Sequence, residues 1–164
     1  MRPVYLLLGG LLLAGCPYSF SNSLPGHIKT VSIPVFENET LESELAEELT
    51  TAVTDRFVRD NQLSVVQQDA DAELLGTITG FEDRVFGFNA DQRADEYLVV
   101  LTVRLVFRDR VKNKEIWKED QTRGVASYFL GSSQAGTPAT VEQARALAIT
   151  QIVDIIVSRT FEGW

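Results

Sequence analysis

The sequence predicts an α+β fold, a two-layer sandwich in which two amphipathic helices pack on one face of a mainly antiparallel sheet of about four strands. Three observations carry this. The run Glu96 to Arg108 alternates, with Tyr97, Val99, Leu101, Val103, Leu105 and Phe107 on one side. Two segments, opening near Leu41 and Thr140, repeat apolar residues at helical spacing. Between them lie several consecutive strand-like runs, which suggests an antiparallel meander.

Taken in order, the N-terminus comes first. Arg2 is the only charge before the apolar stretch Val4 to Ala14, which is broken only by Gly9 and Gly10. A positive start, a short apolar stretch and small residues before a cut make a secretory signal. A membrane-spanning helix would need about 20 apolar residues. Leu13-Ala14-Gly15-Cys16 looks like a lipobox, in which the cysteine thiol is acylated and the chain is cut before it. The alternative is a plain signal with a chance cysteine, and the motif's position weighs against it. We therefore expect residues 1–15 to be a cleaved signal peptide, 16–27 a lipidated tether and 28–164 a single domain. Removing 15 of 164 residues leaves 149 and takes Arg2 away, so 14 basic stand against 23 acidic side chains, a net charge of −9. Nucleic acid is a poor partner for such a chain, since phosphate binding needs basic surface.

Cys16 to Gly26 is rich in Ser, Asn, Pro and Gly and carries Tyr18 and Phe20. Lys29 to Phe36 reads as a strand with Val31, Ile33 and Val35 on one side, and Pro34 confines it to an edge. Leu41 to about Asn61 reads as a helix with Leu41, Leu45, Leu49, Val53 and Phe57 on its apolar stripe. Thr40 is its expected N-cap, and Asp60-Asn61 its end. Leu63 to Val66 is a short strand and Ala72 to about Val85 a longer one. Gly76, Gly80 and Gly87 are expected to mark bulges or close packing. Glu96 to Arg108 follows, its even-numbered face mixing Leu98, Val100 and Val106 with Arg104 and Arg108. Lys112-Asn113-Lys114 is the expected turn and Glu115 to Phe129 the return strand, anchored by Ile116 and Trp117. Leu130 to Pro138 reads as a loop. Thr140 to Gln143 matches a capping box opening a helix to about Phe161, with Ala144, Leu147, Ala148, Ile152, Ile155 and Ile156 buried.

Catalytic machinery is hard to assemble from these residues. His27 is the only histidine and sits at the end of the tether, where an exposed side chain is the plain reading. Cys16 is the only cysteine, so no intramolecular disulfide and no thiolate metal site can form. No cofactor, metal site or phosphate-binding glycine motif is expected. Two carboxylates suffice for glycoside hydrolysis, and Glu82-Asp83 and Asp91 with Asp95-Glu96 flank an expected loop, Phe86 to Ala94. Neighbouring residues on a strand point to opposite faces, however, and 23 acids produce such clusters by chance. The same loop sets Arg84 and Arg93 beside Phe86 and Phe88, a candidate contact for an amphipathic anionic ligand or a partner's wall. An ordinary surface loop is the competing reading. Arg104 and Arg108 are further candidates, unless their stems merely cover the sheet.

Cys16-Pro-Tyr-Ser-Phe20, then Leu24-Pro-Gly-His-Ile-Lys-Thr-Val-Ser-Ile-Pro-Val-Phe-Glu-Asn38 and its acidic helix, resemble the LPS-assembly lipoprotein family, LptE. Ala72-Glu-Leu-Leu-Gly-Thr-Ile78 and the C-terminal helix follow in the family's order, so the likeness covers essentially the whole mature chain. Pro17 departs from the glycine common at that place. The resemblance implies a non-enzymatic, palmitate-bearing outer-membrane lipoprotein with a two-helix, four-stranded sandwich. It would plug and help assemble a β-barrel, LptD, that delivers lipopolysaccharide to the cell surface. The implied partners are that barrel, lipopolysaccharide and the membrane itself, reached through N-terminal acyl chains, with the protein facing the periplasm or sitting in the barrel lumen. A generic outer-membrane lipoprotein adaptor, pilotin-like or a secretion subunit, is the alternative; a carboxylate-based glycan hydrolase is the remote one.

Overall fold

A computed structural model describes residues 24–131 and 135–162. Cys16, Tyr18 and Phe20 lie outside the described residues. In chain order the elements are β1 (Thr30–Ser32), β2 (Glu37–Asn38), α1 (Leu45–Asp60), β3 (Ser64–Val65), β4 (Ala72–Phe88), β5 (Ala94–Asp109), β6 (Lys114–Phe129) and α2 (Val141–Phe161).

The meander is present: β4, β5 and β6 pair antiparallel in sequence order. The sheet is larger than expected and mixed. Its order is β3-β1-β4-β5-β6, with β2 also on β4, giving six strands among the described residues rather than about four. β1 runs parallel to β3 and to β4, and β2 parallel to β4. A parallel pair needs a crossover between its strands, and α1 lies between β1 and β3 in the chain. The three short strands hold two or three residues each, too few to show alternation in a sequence.

Pro34 divides the expected first strand. Val31 is fully buried, but Val35 is exposed and Phe36 takes the core position instead. Its ring lies against the backbone of Gly76, where any Cβ would collide with it. The Phe36 N–H donates to Thr50 Oγ1 of α1 at 3.0 Å, so this turn fastens the strand segment to the helix.

α1 starts one turn later than expected. Asn38 Oδ1 accepts from the Thr40 N–H and hydroxyl, and Asn38 Nδ2 donates to the Glu42 carbonyl. This local turn competes with helix for residues 38–42. Thr40 therefore does not cap α1, and Leu41 is fully exposed rather than buried. Leu45, Leu49, Val53 and Phe57 form the buried stripe, each contributing on the order of 2 kcal/mol by burial. Asn61 ends the helix at φ 50°, its N–H donating to the Phe57 carbonyl.

α2 opens as a capping motif. Thr140 Oγ1 accepts from the Gln143 N–H at 3.4 Å, and Gln143 Oε1 reaches back to the Ala139 N–H at 2.7 Å. Its stripe departs from expectation: Leu147 is exposed and Ile155 half-buried, while Ile149, Val153 and Val157 are buried. α2 packs on β5 and β6 and also touches α1. Arg56 of α1 binds Asp60 of its own helix and Asp154 of α2, each at 3.1 Å. Both stripes join one core with Leu74, Ile78, Val99, Leu101, Val103, Leu105 and Phe107. The odd-numbered face of β5 is thus the core face, as its alternation predicts.

Two turns differ from expectation. β4 continues through Phe88, leaving Asn89 to Arg93 as its connection to β5, so Phe86 and Phe88 are strand residues and not loop residues. Asn89 holds this turn by accepting from the Asp91 and Arg93 N–H groups on its side chain. β6 begins at Lys114, so the preceding turn is Arg110 to Asn113, with Asn113 at φ 48°. Register shifts fall beside Gly80 and Gly87, and Gly76 is a close approach, the two roles anticipated for these glycines.

Candidate functional site

Both helices lie on the odd-numbered side of β5, and among the described residues no second layer covers the even-numbered side. Down its centre run Leu98, Val100, Thr102, Arg104, Val106 and Arg108; Arg104 is exposed and the others half-buried. Pairing adds Glu73, Leu75 and Thr77 from β4, opposite Arg108, Val106 and Arg104. From β6 it adds Lys118 opposite Val106, Arg123 opposite Thr102 and Val125 opposite Val100. The result is an apolar floor with cations set into it.

The two arginines proposed on β5 differ in their commitments. Arg108 Nη2 lies 2.7 Å from Glu73 Oε2, and Glu73 is largely buried. Arg108 is therefore held in an ion pair of the sheet itself. Arg104 has no ion pair among the described residues. It stands where β6 makes a register shift between Thr122 and Glu119, so Asp120 and Gln121 lie opposite it. Lys118 Nζ sits 2.9 Å from Asp120 Oδ1, which holds the ammonium above its ordinary range, with Arg104 pulling the other way. A crevice of about 270 Å³ opens beside Arg104, walled by Pro34, Val35, Leu75 and Val106 with Glu37 at its edge. An anion with an apolar tail finds a cation and an apolar wall there side by side.

The hairpin cluster is only partly assembled. Phe86 and Phe88 are 57% and 67% exposed, Arg93 is exposed in the turn, and Arg84 lies 3.7 Å from Glu82. Around them stand Glu82, Asp91, Asp95 and Glu96, so the local charge is acidic. The carboxylates do not form a facing pair: Glu82 pairs across to Val100 on the open face, while Asp83 pairs to Val99 on the core face. Asp83 accepts from the Tyr128 hydroxyl at 3.1 Å, and burial, then Asp83, pushes that phenol up to about 12.

Three features were not anticipated from the sequence. Lys118 and Arg123 join Arg104, and alternation along β6 was the signal, hidden by the register shift. His27 is not a lone exposed side chain but contacts Asp109 at 2.7 Å. An open groove of about 740 Å³ between α1 and α2 is lined by Glu44, Glu47, Glu48, Asp55 and Glu142 around Arg145, which binds Glu48 at 2.9 Å. Among the described residues no group of three or more metal-ligating side chains occurs, and no helix is long and apolar enough to cross a membrane.

A family model described as lipopolysaccharide-assembly, LptE, matches residues 28–160. The chain belongs to the LptE family. The match spans all eight elements of the fold except the last residue of α2, and the family is one of non-enzymatic lipoproteins concerned with lipopolysaccharide assembly. No curated protein matches the sequence. Protein XCC0632 of Xanthomonas campestris has a similar structure, with TM-score 0.61, 11% identity, and 85% of this chain and 90% of that one covered. Protein CT253 of Chlamydia trachomatis follows at TM-score 0.55 and 14% identity, covering 80% and 95%. A minor lipoprotein of Acinetobacter baumannii gives TM-score 0.51 and 16% identity, covering 83% and 92%. At these identities the likeness speaks for the fold alone; the family assignment rests on the sequence match.

Proposed function

We propose that this chain is an outer-membrane lipoprotein, cut after residue 15 and acylated on Cys16, that plugs and helps assemble an LptD-like β-barrel. It acts by occupancy and contact rather than by chemistry. The observation that carries this reading, beside the family, is the sheet face that no second layer covers among the described residues. There Arg104, with Lys118 and Arg123, is set among Leu75, Val100 and Val106 in a chain that is otherwise acidic. Lipid A presents phosphates beside acyl chains, and guanidinium for the one with branched aliphatic surface for the other is a chemical match. Arg108 supports the face through Glu73, while Arg84, Phe86, Phe88 and Arg93 offer a second contact at the hairpin, suited to the barrel's inner wall. Because net charge opposes long-range attraction of an anion, binding depends on local contacts and is only moderately salt-sensitive.

The test uses the full chain extracted in detergent. A large β-barrel should co-purify with it, and the purified protein should bind lipopolysaccharide saturably. Arg104→Glu should weaken that binding with the fold intact. Absence of a co-purifying barrel together with unchanged lipid binding by the variant would reject the reading. Cys16→Ala should leave the precursor unprocessed; a free Cys16 thiol in the mature protein, seen by mass spectrometry, would reject the anchor.

A further inference from the structure

Among the described residues the sheet has two long stretches of edge, along β6 and along the far half of β4, finished differently. On the β6 side, α2 comes so close that a Cβ at Gly124 would collide with the Ala148 backbone. Gln151, one turn further along α2, then stands in for a neighbouring strand. Its Nε2 donates to the Val125 carbonyl at 2.8 Å and its Oε1 accepts from the Val125 N–H at 2.9 Å. That edge also carries Lys118, Glu119, Asp120 and Arg123, charges of the kind that discourage strand addition.

On the β4 side the cover stops half-way. β1 pairs at Ala72 and Glu73, β2 at Thr77 and Ile78, and the Glu39 N–H makes the last contact, to the Ile78 carbonyl at 2.9 Å. From Gly80 to Phe88, β4 pairs with β5 alone among the described residues. Between the register shifts at Ile78/Gly80 and Val85/Gly87, the run Gly80 to Val85 is regular. A regular strand with one side unpaired presents a row of donors and acceptors to any extended chain. Apolar side chains gather on the same segment: Val85 and Phe86 are exposed and Phe81 half-buried. Its charge is acidic, with Glu82 and Asp83 on the strand and Asp91, Asp95 and Glu96 around the hairpin end, against Arg84 and Arg93.

We propose that the Gly80–Val85 edge of β4 is a strand-docking site for an extended segment of a partner polypeptide in which basic residues alternate with apolar ones. Main-chain hydrogen bonds continue the sheet. Phe81 and Val85, on one face, meet the apolar side chains, and Glu82, on the other, selects cations through charge complementarity. The site uses backbone groups rather than Arg104, so it stands apart from lipid contact on the sheet face.

The probe is an end-blocked nonapeptide of alternating valine and lysine, added to the full chain in detergent and followed by titration and by amide hydrogen exchange. Saturable binding is expected, with exchange over Gly80–Val85 slowed about tenfold and Lys114–Phe129 unchanged. The same peptide N-methylated at every residue should not bind, because it lacks the donors on both of its edges. Glu82→Lys, at a side chain that is mostly solvent-exposed, should weaken binding about tenfold, while Arg104→Glu should leave it unchanged. No saturable binding, equal binding of the N-methylated peptide, or protection of β6 in place of β4 would overturn strand docking. Equal binding of a valine–glutamate peptide would overturn the basic partner. Loss of lipopolysaccharide binding in Arg104→Glu alongside intact peptide binding separates this site from the lipid face.

Discussion

His27 and Asp109, 82 residues apart in sequence, meet through a 2.7 Å contact between Nε2 and Oδ2. The segment leading into β1 is thereby fastened to the end of β5. A second carboxylate completes the clasp: Asp71 Oδ2 accepts from the Lys29 and Thr30 N–H groups and from the Thr30 hydroxyl.

Both carboxyls titrate below their ordinary range. For Asp109, burial pushes upward, but the Lys112 N–H, His27 and the Val111 N–H together outweigh it. For Asp71, the Lys29 and Thr30 hydrogen bonds pull the value down against burial. A depressed native pKa contributes stability that is complete above the unfolded value, about 3.9, and is lost as pH falls through the native one. Urea unfolding should therefore show stability draining below about pH 4. Asp71→Asn and Asp109→Asn should each be less stable at neutral pH and have a shallower acid limb. An acid limb unchanged in both variants would contradict this assignment.

Gly124 should tolerate no side chain. Gly124→Ala drives a Cβ into the Ala148 backbone, which cannot step aside without moving α2; the cost should be about 1–3 kcal/mol. At Gly80 the nearest atom to a new Cβ is Thr102 Cβ at 3.7 Å, ordinary contact. Gly80→Ala should stay within about 0.5 kcal/mol of the parent. Denaturant midpoints of the two variants measure the contrast.

Gln151→Ala should unblock β6. It frees the Val125 N–H and carbonyl, both at a solvent-accessible edge, so the stability loss should be only about 1 kcal/mol. The sharper readout is faster amide exchange at Val125, with a concentration-dependent rise in mass by light scattering as uncovered edges pair. Unaltered exchange at Val125 would show that the side chain does not close the edge.

Arg104→Glu and Arg108→Glu should part company. Arg108→Glu leaves the largely buried Glu73 facing a like charge, and its loss should appear in thermal stability at about 1–3 kcal/mol. Arg104→Glu breaks no ion pair among the described residues, so stability should move by about 0.5 kcal/mol or less while lipopolysaccharide binding weakens. Equal stability losses in the two would show that the arginines are interchangeable supports of the sheet.

Glycan turnover should be absent. Glu82 and Asp83 take opposite faces of β4, and Asp83 is engaged by Tyr128. Hydrolysis of any glycan that disappears in Glu82→Gln or Asp95→Asn would reverse the non-catalytic reading.

The sequence alone determined the meander, the two helices and the core face of β5. Each of these is periodic over many residues, and burial demands the same period: Val99, Leu101, Val103 and Phe107 cannot all reach the core except as a strand. It also determined the family, through the order of its segments. Tertiary structure decided the rest. β1, β2 and β3 are too short to have a period, and their parallel pairing depends on α1 carrying the chain between them. Phe36 displaces Val35 from the core because Gly76 leaves room for a ring. Arg104 and Arg108 look alike along β5, two positions apart on the same face. Only pairing gives one of them Glu73 and sets the other opposite a register shift, because a side chain's partners come from neighbouring strands and not from its own.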